Sequence, residues 1–596
     1  DLIDQRLSHG EYSQRPRYRA EAIGHGHQPN DADRAILTTA GDSLLGRASY
    51  TTAQIGELVE KEPCFPDDRL EALWAVIRNW AVDAVSADVA LIRERIRLNA
   101  LGRFARRTGP RRDLAREVYD ALQPTDLLHV NAWMFSAGWL DWGADELDAE
   151  DVETSHAVRE ARIAADRRAA LQEIWHARGL DGVLDFAAVV GEPWLIGRLA
   201  VQSIAGFDPF EAVEAAFITR PLEPSVRRSF AGGVFSTEAA GEGGSLLRAL
   251  LTKWNHAAEP GLDLLLASPF GLGTWTVVDA LPPNLREAYW REASGLSRDG
   301  AATTERATRE LLAAGRPLSA LHQLYFDTTE MPTDLLTAVL TAVATGPSED
   351  GVTLAAHQVE ACFTALDARE DCPFPELVKL EFYYCHGLER SKRGLKALSR
   401  ALADEPELFV EAVKAVYRDT RTPRDPDAEL TGLAKQHYDH WRSVLEYVAY
   451  GPGGDADGGL DADRFEAWMA TVTPLLEDCG RLESGLHVIG KILGRTRIEK
   501  DGVWPPSSFA PALERRADGS LTEGLYFGII NSRGVQWRDR GGRQERALAD
   551  HYRTWAEACA VDCPRLAACF EGIARSFEYD AAWQDDRARL ERAAPQ

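Results

Sequence analysis

The feature that most constrains this chain is a recurring set of short amphipathic stripes, cut by glycine and proline. Between Pro375 and Arg418, Leu377, Leu380, Tyr384 and Leu388 return at three- and four-residue steps and so share one face of a helix. Gly387 and the polar run Glu389-Arg390-Ser391-Lys392-Arg393-Gly394 end that stripe. A second follows at Leu395, Leu398 and Leu402. Asp404-Glu405-Pro406 reads as the next helix start, because proline is tolerated in a first turn, where its missing N–H has no partner to lose. Phe409, Val413 and Val416 make the third stripe. Short helices with tight polar joints cannot bury their faces alone; each needs neighbours before and after it.

Most of the 596 residues follow this pattern. Asp68 with Glu71 has capping-box spacing ahead of Leu70, Leu73, Trp74, Ile77 and Ala81. A longer helix is predicted from Ser86 to Arg107, and a charged one from Ser155 to Arg178. Beyond it the predicted helices shorten, and their spacing implies paired repeats of roughly 35–45 residues, in the range of TPR and HEAT units but without their consensus letters. The expected class is all-α: an irregular α-solenoid of serial helical hairpins. Two stretches, Thr274-Trp275-Thr276-Val277-Val278 and Leu525-Tyr526-Phe527-Gly528-Ile529-Ile530, read as short strands. Residues 1–30 read as loose. The loops Thr345-Gly346-Pro347-Ser348 and Gly451-Pro452-Gly453-Gly454 are the clearest boundary signals, which divides the chain into an N-terminal region 1–150, helical arrays 151–346 and 347–452, and a C-terminal region 453–596.

The bulk composition narrows the function. Apolar residues make up 45% of the chain, with 16 Trp, which is ample for a core. The formal net charge of −26 argues against a surface built for nucleic acid, except through a local arginine patch. The eight cysteines are scattered and suit reduced thiols in a cytoplasmic protein. No apolar run reaches the roughly 20 residues of a membrane span. The start, Asp1-Leu2-Ile3-Asp4, has no apolar leader and no initiator Met, and reads as a piece of something longer or as a processed end.

The motifs are incomplete. Gly485-Leu486-His487-Val488-Ile489-Gly490-Lys491-Ile492 starts like a phosphate-binding loop, but Ile492 replaces the Mg²⁺-binding hydroxyl residue and no strand precedes it. The acidic turn Asp455 to Glu466 has calcium-loop spacing, but Leu460 stands where the sharp turn needs Gly; Asp461 reads as a helix cap. Cys559, Cys563 and Cys569 with His551, and Cys362, Cys372, Cys385 and His386, lack zinc-knuckle spacing and read as small buried thiols. No cofactor, metal site or catalytic residue is expected from these patterns. Two basic islands stand out: Arg390, Lys392, Arg393, Lys396 and Arg400, and the Gly-rich loop carrying Arg533, Trp537, Arg538, Arg540 and Arg543, followed by Arg546. Arginine beside tryptophan on a loop is a contact surface for an acidic partner; the plainer reading is intramolecular ion pairs with the surplus Asp and Glu.

The block Arg390-Ser391-Lys392-Arg393-Gly394-Leu395-Lys396-Ala397-Leu398, with Asp404-Glu405-Pro406-Glu407-Leu408-Phe409-Val410, resembles the C-terminal helical region of large bacterial multidomain ATPases of the STAND or NACHT kind. So do Asn531-Ser532-Arg533-Gly534 and the helix from Glu545 to Arg553. The resemblance implies a sensor in antiviral defence: a helical array that binds an invader protein and releases an upstream effector, with no catalytic residue to carry over. The leading expectation is therefore a macromolecule-binding scaffold that takes a protein partner within a larger assembly, through Arg390, Lys392, Arg393, Lys396, Arg533, Trp537, Arg538, Arg540 and Arg543. The alternatives are an enzyme whose site gathers distant residues, with His129, His322, His386 and His551 as candidates, or a purely structural subunit.

Overall fold

The computed structural model describes residues 42–101, 109–138, 140, 152–238, 244–422, 432–496, 503–532 and 541–593. The expectation for residues 1–30 lies outside them, as does the boundary near residue 150. The chain is all-α, a series of helical hairpins. Among the described residues, β pairing is limited to single bridges, Leu395 with Val448 and Gly454 with Leu460.

The sequence stripes become buried faces. Leu70, Leu73, Trp74 and Ile77 are the interior of the helix Leu70–Asp83. Leu380, Tyr384, Leu388, Leu395, Leu398, Leu402, Phe409 and Val413 are buried at the successive joints of the stretch that began the sequence reading. Asp68 does not cap its helix; Asp67–Arg69 is a 3₁₀ turn, and Asp68 pairs with the neighbouring Arg69. The predicted helix from Ser86 runs to Ile96 and widens into a π turn, Arg97–Leu101. The long charged helix spans Val152–Val189 but breaks at Gly179, whose φ of 60° only glycine adopts without strain.

Both predicted strands are helical. Thr274 to Val278 lies in the helix Leu272–Asp279, and Leu525 to Ile530 in the helix Gly519–Asn531. The reason is that hydrophobicity does not trace the helical period. Trp275, Val277 and Val278 are buried, with Trp275 packed against Phe270 and Trp290 at ring separations of 5.0 and 5.5 Å, but the exposed face carries Leu272 beside Thr276, and that of the other helix carries Phe527. Gly519–Asn531 packs on Leu482–Arg495 so closely that an added methyl at Gly490, Gly524 or Gly528 would overlap the partner backbone at Leu521, His487 or Lys491.

The chain divides into two compact units that meet in sequence at Asp299 and Gly300. In the first, Pro193–Ser203 packs on Pro224–Glu238, again through glycines: Gly197 faces Phe230 and Gly233 faces Trp194. The second unit contains both loops that the sequence marked as boundaries. Thr345 to Ser348 joins helices that pack on each other, Thr333–Thr345 and Ala356–Asp367. Gly451 to Gly454 is buried.

Candidate functional site

The first basic island is a turn in the second unit, between the helices Cys385–Leu388 and Lys396–Asp404. Gly394 turns the chain with a φ of 64°. The side chain of Arg393 then runs inward, with 3% of its surface exposed. It donates to both oxygens of Asp367, from Nε at 2.7 Å and Nη2 at 2.6 Å, and its Nη2 lies 2.5 Å from Glu381 Oε1. Its guanidinium covers the Phe363 ring at 4.9 Å. Glu381, fully buried, also accepts from the amides of Ala397 and Leu398 at 3.0 and 2.8 Å, satisfying the first turn of Lys396–Asp404. Arg393 is therefore an internal anchor, which corrects its expected place on the contact surface. Its neighbours do face out: the side chains of Arg390 and Lys396 are 80% and 59% exposed, and Lys392 is exposed.

Arg533, Trp537, Arg538 and Arg540 of the second island lie outside the described residues. Arg543 opens the helix Arg543–Cys559 and is exposed. Arg546 is held intramolecularly by Asp585 at 2.7 Å, and Asp585 also accepts from the amide of Gly542 at 2.9 Å. The Arg546 hydrogen bond, with that amide, lowers the Asp585 carboxyl to about 2. This part of the island follows the plainer ion-pair reading.

The incomplete motifs resolve into structure. The phosphate-loop look-alike is the helix Leu482–Arg495; its Gly490 is a helix-packing position, and Lys491 Nζ meets Glu446 at 2.5 Å. In the acidic turn, Asp455 Oδ1 accepts from the amides of Asp457 and Gly459 at 3.0 and 2.7 Å, and Asp461 caps the next helix through Arg464 N at 2.9 Å. Cys559 and Cys563 are buried, and Cys569 Sγ points at Thr522 O; burial pushes the Cys559 and Cys569 thiols up to about 11 and about 12. In the first unit, a cavity of about 420 Å³ is lined by Leu91, Tyr119 and Trp133, with His129 and Glu94 at its wall. That carboxylate is already bound by Arg97 Nε and Nη2, both at 2.7 Å.

The histidines proposed as a gathered site have separate neighbours. His322 Nε2 is 3.1 Å from Thr353 O, and the His551 ring packs on Trp555 at 5.0 Å. His386 is the exception, because its neighbours carry ligand chemistry. One donor atom each of Cys385, His386 and His440 lies within 4.8 Å of the other two. Cys385 and His386 sit on the short helix Cys385–Leu388, and His440 comes from Gly432–Tyr447, which packs across it. The two imidazoles are 4.8 Å apart, and Phe382 closes the far side at 5.3 Å from His440 and 4.7 Å from Trp441. His440 Nδ1 is 2.8 Å from Gln436 O, and His386 Nδ1 is 3.8 Å from Glu389 Oε2. Glu389 is fixed in turn by the Ser443 hydroxyl. His386 Nε2 is buried without a hydrogen-bond partner.

No protein-family model, curated protein or solved structure was found to match the chain. Among the described residues, no helix is long and apolar enough to cross a membrane.

The sequence reading set Cys385 and His386 with Cys362 and Cys372 as buried thiols without zinc spacing, and did not single out His440, which stands 54 residues on from His386 and reads as one more position of an amphipathic helix. It also placed Arg393 among exposed cations. Only the tertiary approach of Asp367 and Glu381 identifies it as an anchor.

Proposed function

We propose that this chain is a protein-binding helical scaffold, a cytoplasmic sensor-type region of a larger assembly, and that the turn Arg390 to Lys396 contacts an acidic surface of the partner. The observation that carries the reading is the buried anchor beneath that turn. Arg393, tied to Asp367 and Glu381, holds the loop that displays Arg390, Lys392 and Lys396. A cation cluster presented on a fixed backbone loses little entropy on binding, which is how modest charges become a specific contact. In a chain of net charge −26, a local positive patch also has a defined orientation toward a negative partner. The partner class we take from the resemblance to sensor regions of bacterial STAND and NACHT proteins is an invader protein.

The test removes the charge on the exposed residues only. Arg390→Gln with Lys392→Gln and Lys396→Gln, which sets no new carboxylate against Asp367 or Glu389, is expected to abolish capture of the partner from the native host while the melting temperature holds. Unchanged capture by a folded triple variant overturns the proposal.

A further inference from the structure

We infer that Cys385, His386 and His440 form a three-ligand site for a borderline-soft divalent transition metal, Zn²⁺ in the first instance, with one coordination position open. The inference does not depend on the proposed scaffold function.

The donor set is the first argument. One thiolate and two imidazoles are the ligands zinc prefers, and three protein ligands leave the fourth tetrahedral position to water or an incoming group. The placement is the second. At ordinary bond lengths, tetrahedral ligands stand roughly 3.5 Å from one another. The three donors lie within 4.8 Å of one another, so closing by about 1 Å completes the set. The outer contacts are the third argument. A ligating histidine normally gives its other ring N–H to a carboxylate or a backbone carbonyl, which fixes the tautomer. For His440 that partner is in place; for His386 the nearest carboxylate, Glu389 Oε2, stands 3.8 Å from Nδ1, longer than a hydrogen bond. Gln436 O faces His440 Nδ1, which sets the hydrogen there and the lone pair on Nε2. Glu389 faces His386 Nδ1 and is itself held by Ser443. The atom this leaves for a metal on His386, Nε2, is buried with no hydrogen bond, an arrangement that costs energy unless something is bound.

The surroundings fit a bound cation. Phe382 and Trp441 form an apolar wall, and Glu389 supplies negative charge. His437 is excluded from the set, because its Nε2 accepts from Trp441 Nε1 at 3.1 Å. The His386 side chain keeps 21% of its surface, so the site lies near solvent although Nε2 itself is covered. On binding, the Cys385 S–H bond breaks, its proton passes to the buffer, and the sulfur pair forms the metal bond; affinity therefore rises with pH.

The experiment uses the full chain stripped of metal, reduced, and titrated with Co²⁺ as a spectroscopic stand-in for Zn²⁺. The expected result is uptake of one equivalent with ligand-field bands of tetrahedral intensity and a thiolate-to-cobalt charge-transfer band, displaced by Zn²⁺, with one proton released per ion. C385S is expected to lose the charge-transfer band, and H386Q to weaken Co²⁺ binding at least tenfold. H386Q replaces a half-buried side chain and keeps the test open where C385S fails to fold. C559S, on a buried thiol outside the set, is expected to bind as the parent does. No stoichiometric uptake by the parent chain, or a charge-transfer band that survives in folded C385S, overturns the inference.

Discussion

Arg393 reaches Glu381 across 2.5 Å in the second unit, with the carboxylate fully buried and the guanidinium nearly so. Burial pushes the Glu381 carboxyl up from its ordinary range, against the pull of Arg393 and of the Ala397 and Leu398 amides. The pair matters less for its own attraction than for what its loss leaves behind, because an unpaired charge in a dry site costs far more than the pair contributes.

Arg393→Ala is expected to destabilise this unit by about 3–5 kcal/mol, since Glu381 loses its cation and Asp367 is left with Lys396, at 3.4 Å. Adding Glu381→Gln should recover part of the loss by removing one stranded charge. Denaturant midpoints of the parent, single and double variants measure it. A single variant within about 1 kcal/mol of the parent would show that water reaches the site.

The glycine-lined helix pair gives a second prediction. Gly524→Ala would set a methyl against the backbone of His487, so the helices Leu482–Arg495 and Gly519–Asn531 must separate. The expected cost is about 1–3 kcal/mol. Gly519→Ala, in the same helix with open space around it, is expected to be neutral or stabilising by about 0.5 kcal/mol. Thermal melts of the two variants separate packing from propensity; equal effects would refute the close approach.

Acid should loosen the C-terminal helices in a defined window. The Asp585 carboxyl is lowered from 3.8 to about 2 by Arg546 and the Gly542 amide. A lowered carboxylate stabilises the fold above its unfolded-state value and loses that contribution as pH falls through the folded one. The difference in Tm between the parent and Asp585→Asn is therefore expected to be full above the ordinary value of 3.8 and to vanish as pH approaches 2. A difference that persists at the acid end would place the effect elsewhere.

Some of this was legible in the sequence and some was not, for identifiable reasons. The stripes at Leu70 to Ile77 and Leu380 to Val413 named buried faces correctly, because those helices bury one side and leave a polar side to mark the period. Thr274 to Val278 and Leu525 to Ile530 misread as strands because their exposed faces carry apolar residues, Leu272 and Phe527, which hide the helical period. The cap at Asp461 could be read locally; the direction of Arg393 could not, because its partners Asp367 and Glu381 belong to earlier helices. The same limit hid His440. A thiol and an imidazole adjacent in sequence say nothing until a helix 54 residues on from His386 brings the third donor.

The exposed turn decides the account. Arg390 and Lys396 reach Glu389 and Asp367 at 3.5 and 3.4 Å, and both carboxylates are largely buried, so the three cations are best neutralised by Gln, which should leave Tm within about 2 °C. Capture from the native host, run in parallel with the parent chain and followed by melts of both proteins, is the most direct measurement. The account predicts one protein partner retained by the parent and lost by the triple variant at equal Tm. The same bound set from both chains would contradict it.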